Sequence, residues 1–194
     1  MVDAGDWPVD LRGVTETIVT TLGPNECWNA AALGVHAPDA ADSLPTARTW
    51  GSTRTRRNFA HRGEGYVQFC RDPVAFAEAA LTISEVDQPI LESANAWVRV
   101  EPTQVEQGTD DGTSWVAWEL HAVETGVERR VVPRTNRGYA AVIEATVAAS
   151  RLDVPAYDRA ELADRLSYLE GVAETCGGPR EAAAFEVIRD VVDW

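Results

Sequence analysis

The feature that most constrains this chain is its first hairpin signal. Val14 to Leu22 is rich in β-branched residues and reads as a strand; Gly23-Pro24-Asn25-Glu26 is a turn by composition; Cys27 to Val35 resumes as a second strand. Two such runs joined by so short a turn can only lie antiparallel. Thr46 to Gly51 continues as a third strand after a loop over His36 to Pro45 rich in Ala, Asp and Pro. Tyr66 to Cys70 reads as a strand, and Ala96 to Val105 with Ser114 to Val123 as two long ones around the turn Gly108 to Gly112. Val127 to Val132 is a candidate closing strand.

Helical signals separate these strands. Ser52 or Thr53 caps a short helix ending near His61, with Gly63 beyond it. Asp72-Pro73 places an N-cap and a first-turn proline before VAFAEAAL, apolar enough to plug one end of a barrel. Arg137 to Leu152 switches to helical spacing, with Tyr139, Val142, Ile143, Thr146 and Val147 as its stripe. Asp158 with Glu161 resembles a capping box before Leu162, Leu166, Leu169 and Val172. Gly177-Gly178-Pro179 then breaks to a last helix with Phe185, Ile188, Val191 and Val192 apolar. The fold expectation is mainly β with α, an antiparallel barrel followed by a helical hairpin. The domains are expected at 1–152 and 153–194.

The 194 residues carry a net charge of −14, and all 17 basic residues are arginine. An acidic surface does not suit general nucleic-acid binding, and without lysine no Schiff base can form. Two explanations fit the composition: a halophilic, archaeal protein whose carboxylates are screened by molar salt, or GC-rich codon usage. Cys27, Cys70 and Cys176 are far apart, and His36, His61 and His121 lack zinc-type spacing, so free thiols and no metal are expected. No run is long and apolar enough for a membrane span. The N-terminus lacks a signal-peptide pattern, which points to a cytoplasmic protein.

Within this acidic chain, Gly51-Ser52-Thr53-Arg54-Thr55-Arg56-Arg57-Asn58 gathers hydroxyls, guanidiniums and helix-start N–H donors. One reading is a phosphate-ester seat, with Ser52, Thr53 and Thr55 donating and Arg54 or Arg57 neutralising charge. The other is an ordinary helix cap followed by solvated arginines. Asn29-Ala30-Ala31 is a run of small residues against which a flat ring can approach the backbone; equally, it can pack beneath a helix. Trp50 abuts Gly51 and is the leading candidate for ring stacking, although most barrel tryptophans are core or interface.

The ordered set Thr20-Thr21, Asn29-Ala30-Ala31-Ala32-Leu33-Gly34, Gly51 to Thr55 with Asn58, Asp72-Pro73, and Asn136-Arg137 with the Glu144 to Arg151 helix resembles the FMN-binding split-barrel superfamily. Within it, the chain is similar to a largely archaeal family of unknown function related to flavin reductases. The resemblance spans about residues 14 to 152. Ala32 stands where that family commonly has proline, and Pro24-Asn25 replaces its usual Asp-Gly turn.

The resemblance implies an FMN-binding split β-barrel of Greek-key type. It implies FMN held by Asn29, Ala30, Ala31, Trp50, Gly51, Ser52, Thr53, Arg54, Thr55, Asn58 and Arg137. It implies an oxidoreductase of flavin reductase type, fed by a nicotinamide or deazaflavin donor and assembled as a homodimer. Two alternatives stay open: a non-catalytic FMN-binding or flavin-carrier module, and a barrel without cofactor that serves assembly.

Overall fold

A computed structural model describes residues 7–40, 43–110 and 112–194. Met1 to Asp6, Ala41 and Asp42 of the first long loop, and Asp111 of the 108–112 turn lie outside the described residues. The chain divides into two compact units. One comprises the chain up to Cys70 together with Ser84–Arg130, and the other Arg71–Ile83 with Val131–Trp194.

The first unit is an antiparallel barrel. Its strands are β1 (Val14–Leu22), β2 (Trp28–His36), β3 (Thr46–Trp50), β4 (Gly65–Cys70), β5 (Ser84–Val86), β6 (Ala94–Asp110) and β7 (Thr113–Val127), with helix α1 (Arg54–Arg62) between β3 and β4. The order β1-β4-β6-β7-β3-β2 closes through the β1–β2 hairpin, and β5 is added beyond β2. Closure removes most exposed strand edges. One gap remains. β3 pairs with β2 only at Val35 and His36, and β5 pairs with β2 only from Trp28 to Ala30. Between them, Ala31 to Gly34 of β2 has β1 on one edge and no strand partner on the other, among the described residues.

Alternation fills the interior. Val19, Leu33, Val35, Val67, Val98, Val100, Val116 and Leu120 point inward around Trp118 and Phe59 of α1. The Phe59 and Trp118 rings meet edge to face at 5.4 Å. Trp97 and Arg99 lie together on the outer face, as their spacing from buried Val98 and Val100 requires.

Two strand expectations are corrected. Val127 ends β7, and 128–136 is neither helix nor strand; the β1–β2 hairpin, not a further strand, closes the barrel. Gly108 belongs to β6 rather than to a turn. The Trp115 ring covers its Cα face so closely that an added Cβ would sit 2.7 Å from the ring.

The second unit consists of α2 (Pro73–Leu81), α3 (Arg137–Ala149), α4 (Arg159–Cys176) and α5 (Pro179–Val191). Their starts follow cap chemistry: Asp72, Asn136 and Asp158 each accept two first-turn N–H groups. The α2 helix, read from sequence as a barrel plug, packs on α5 and α3. Val142, Leu166, Phe185 and Ile188 form the centre of this unit. Of the apolar residues of the last helix, Phe185 and Ile188 are buried and Val191 is exposed. The α3 stripe is richer in alanine than its spacing suggested, with Ala141, Ala145, Ala148 and Ala149 buried beside Val142 and Thr146. Small residues allow close helix approach, and an added Cβ on Gly138 would sit 2.6 Å from the Gly177 Cα. No helix among the described residues is long and apolar enough to cross a membrane.

Candidate functional site

The site is built around α1, and α1 is fastened along its whole length. At its start, Gly51 adopts a left-handed φ of +64°, which glycine tolerates. The Arg56 guanidinium staples that turn, donating from Nη1 to the Gly51 carbonyl (3.0 Å) and to Ser114 Oγ (3.1 Å). Thr53 is the N-cap, its Oγ1 accepting the Arg56 N–H at 3.2 Å. Midway, Asn58 Nδ2 donates to the Thr21 carbonyl (3.3 Å) and hydroxyl (3.0 Å) on β1. At the end, Arg62 donates to the Gly23 carbonyl (3.1 Å) and pairs with Glu26 (2.7 Å) in the β1–β2 turn. That turn is tight. Gly23 N–H donates to the Cys27 carbonyl at 2.8 Å, and Glu26 takes a positive φ of 59°.

These fastenings leave a cleft of about 390 Å³ between α1, the β1–β2 turn, β2 and β5. Its lining is Gly23, Pro24, Asn25, Asn29, Arg54, Arg57, Asn58 and Glu85. Small-molecule sites run from about 300 to 1,000 Å³, so the cleft is of the right scale. Two guanidiniums and the amides of Asn25, Asn29 and Asn58 dominate its chemistry, and the first turn of α1 carries no acidic side chain. A helix N-terminus with arginines is chemically suited to a phosphate. Glu85 is the one carboxylate in the lining, and Arg54 and Asn25 both donate to it.

The run read from sequence is split by the structure. Arg54 and Asn58 line the cleft, with Arg57 added to them, and so does Asn29. The Asn58 amide nitrogen donates to Thr21, so this residue sets where α1 stands. Thr55 is 4% exposed, and its hydroxyl is buried with no hydrogen-bond partner. Thr55 is not among the residues lining the cleft, and an orphaned hydroxyl of this kind carries an energetic cost. Ser52 and Thr53 are exposed beside the turn, and Thr53, not Ser52, makes the cap.

Along β2, Asn29 and Ala31 share the inner face while Ala30 points to the other; Ala31 is half-buried against the core, next to the unpaired strand edge. Trp50 is 43% exposed and outside the cleft lining, with Arg48 stacked 5.9 Å from its ring and 4.2 Å from Trp115. Arg137 is exposed at the first position of α3, in the second unit.

Sequence reasoning missed Glu85, because three residues of strand give almost no periodicity, and it read Asn25 as a turn former only. Elsewhere, burial and then the nearby Glu64 push the Tyr66 hydroxyl pKa up. Tyr66 lies edge-on to Trp28 at 5.4 Å and near Trp97 at 5.8 Å. Among the described residues no cluster of His, Cys, Asp and Glu could hold a metal ion.

Comparisons with known proteins bear on this arrangement. A family model described as the N-terminal domain of a protein of unknown function, DUF447, matches residues 15–129, and the companion DUF447 model matches 136–190. No curated protein matches the sequence. An FMN-bound protein from Methanosarcina mazei, assigned to the same DUF447 model, is similar at a TM-score of 0.78 and 24% identity, covering 94% of this chain and 96% of that one. This likeness gives the fold: a split barrel with C-terminal helices. Nitrilotriacetate monooxygenase component B from Bacillus cereus scores 0.45 at 18% identity, over 64% of this chain and 75% of that one. An FMN-binding protein from Thermus thermophilus scores 0.42 at 18% identity, over 66% and 81%.

Proposed function

This chain belongs to the DUF447 family, and we propose that it is an FMN-binding flavoprotein, an oxidoreductase of flavin reductase type. The observation that carries the reading is the cleft of α1, where Arg54, Arg57 and an acid-free helix start meet Asn25 and Asn29 in an otherwise acidic chain. The FMN bound by the Methanosarcina mazei protein, which shares both family and fold, supports the choice of cofactor.

In this reading Arg54 and Arg57 neutralise the phosphate, and N–H groups at the start of α1 donate to it. The unpaired edge of β2 at Ala31 to Gly34 offers main-chain groups to the polar edge of the ring. Thr55 supplies its orphaned hydroxyl. Asn58, Arg56 and Arg62 hold α1 rigid against β1 and the hairpin turn, so that the donors are set before the ligand arrives. FMN when bound supplies the hydride chemistry, and the protein contributes binding, orientation and exclusion of water.

A nicotinamide or deazaflavin serves as donor, and the protein works as a cytoplasmic homodimer with the cleft at or near the subunit interface. The three free cysteines support a reducing compartment. The visible spectrum of the purified protein tests the cofactor, and stopped-flow reduction by candidate donors tests the activity. A flavin spectrum with no reduction by either donor class would leave a carrier.

A further inference from the structure

Glu85 stands where an anionic ligand would bind. It lies on β5, directly opposite Asn29 in the β2–β5 register. Its Oε1 accepts from Arg54 Nη1 and, at 3.2 Å, from Asn25 Nδ2. These are two of the donors that give the cleft its affinity for a phosphate. The other guanidinium in the lining, Arg57, makes no ion pair among the described residues.

We infer that Glu85 is an internal anion that occupies Arg54 and Asn25 and must be displaced by the phosphate of FMN, so that this residue sets the affinity of the site. The inference rests on the FMN reading above. Three considerations support displacement. First, the Arg54–Glu85 side chains are 40% and 33% exposed, and ion pairs that wet are weak and easily exchanged. Second, a phosphate monoester carries close to two charges at neutral pH with three acceptor oxygens, against one charge and two oxygens on the carboxylate. Third, β5 is held to β2 through its backbone at Trp28 to Ala30, so the side chain can leave without moving the strand. The carboxylate also stands in for the ligand when none is bound. It keeps two donors satisfied and prevents like-charged Arg54 and Arg57 from facing each other uncompensated.

A phosphate-free flavin has no reason to displace Glu85, so the effect of the residue is confined to phosphate-bearing ligands. The test is calorimetric titration of FMN and of riboflavin into the full-length protein and its Glu85→Gln variant in molar KCl. Glu85→Ala serves as a second variant, and apo melting curves confirm folding of each. The expected result is FMN bound about fivefold more tightly by both variants, with riboflavin affinity unchanged. FMN affinity that is unchanged or weakened, while wild type still prefers FMN to riboflavin, would overturn the inference and leave the FMN reading standing. Riboflavin tightening equally with FMN would place Glu85 against the ring or ribityl chain, also overturning it. Wild type without preference for FMN would remove the phosphate reading and the inference together.

Discussion

The Asn58 side chain spans from α1 to β1, its Nδ2 donating to the Thr21 carbonyl at 3.3 Å and to the Thr21 hydroxyl at 3.0 Å. Both residues are buried, Thr21 at 0% and Asn58 at 6% exposure. This contact places the arginines of α1 over the hairpin turn. Replacing Asn58 by alanine strands buried acceptors, at a cost of about 1–3 kcal/mol. It also loosens α1, so flavin affinity falls with stability. Chemical denaturation together with FMN titration checks both, and a variant with unchanged stability would show that the bridge does not hold the helix.

Thr53 and Ser52 should separate cleanly. Thr53 caps α1 and Ser52 does not. Thr53→Ala is expected to lower apo stability by about 1 kcal/mol, and Ser52→Ala by no more than about 0.5 kcal/mol. Thermal melts of the two variants side by side decide it.

Thr55→Val removes a buried hydroxyl that has no partner. Such a replacement is expected to leave apo stability unchanged or raised, while weakening FMN binding. Loss of apo stability without loss of FMN affinity would make the hydroxyl structural.

Much of the fold was legible because its signals are local. The Val14 to Leu22 run, the Gly63 stop and the Asp72-Pro73 start each act over a few residues. The β-branched pattern of the long strands underestimated their length: β6 runs to Asp110 over exposed polar residues that pair only with β7. What sequence could not show was pairing at a distance. Glu85 meets Arg54 across 31 positions, and Asn58 meets Thr21 across 37. Within the Ser52 to Asn58 run, composition could not distinguish side chains that hold the helix from those that face the cleft. Helical phase and the geometry of the Gly51 turn make that division.

The charge of −14 without lysine predicts strong salt dependence. The screening length is ~10 Å at 0.1 M salt and ~3 Å at 1 M, so carboxylate repulsion persists until salt is high. The melting temperature is expected to climb from 0.1 M to molar KCl, and FMN to rescue part of the loss at low salt by mass action. A flat response would assign the missing lysines to codon usage.

A homodimer burying more than ~1,000 Å² is expected. Light scattering in high salt at micromolar concentration checks it, and a monomer there would contradict it.

The central claim is that the α1 cleft reads the phosphate of FMN. Calorimetry of FMN against riboflavin, on wild type and on the Arg54→Ala/Arg57→Ala double variant, tests it most directly. The account predicts that wild type binds FMN at least about tenfold more tightly than riboflavin, since each charge-assisted phosphate bond contributes about 1.5–3 kcal/mol, and that the double variant loses the difference. Equal affinities for the two flavins in wild type would contradict it.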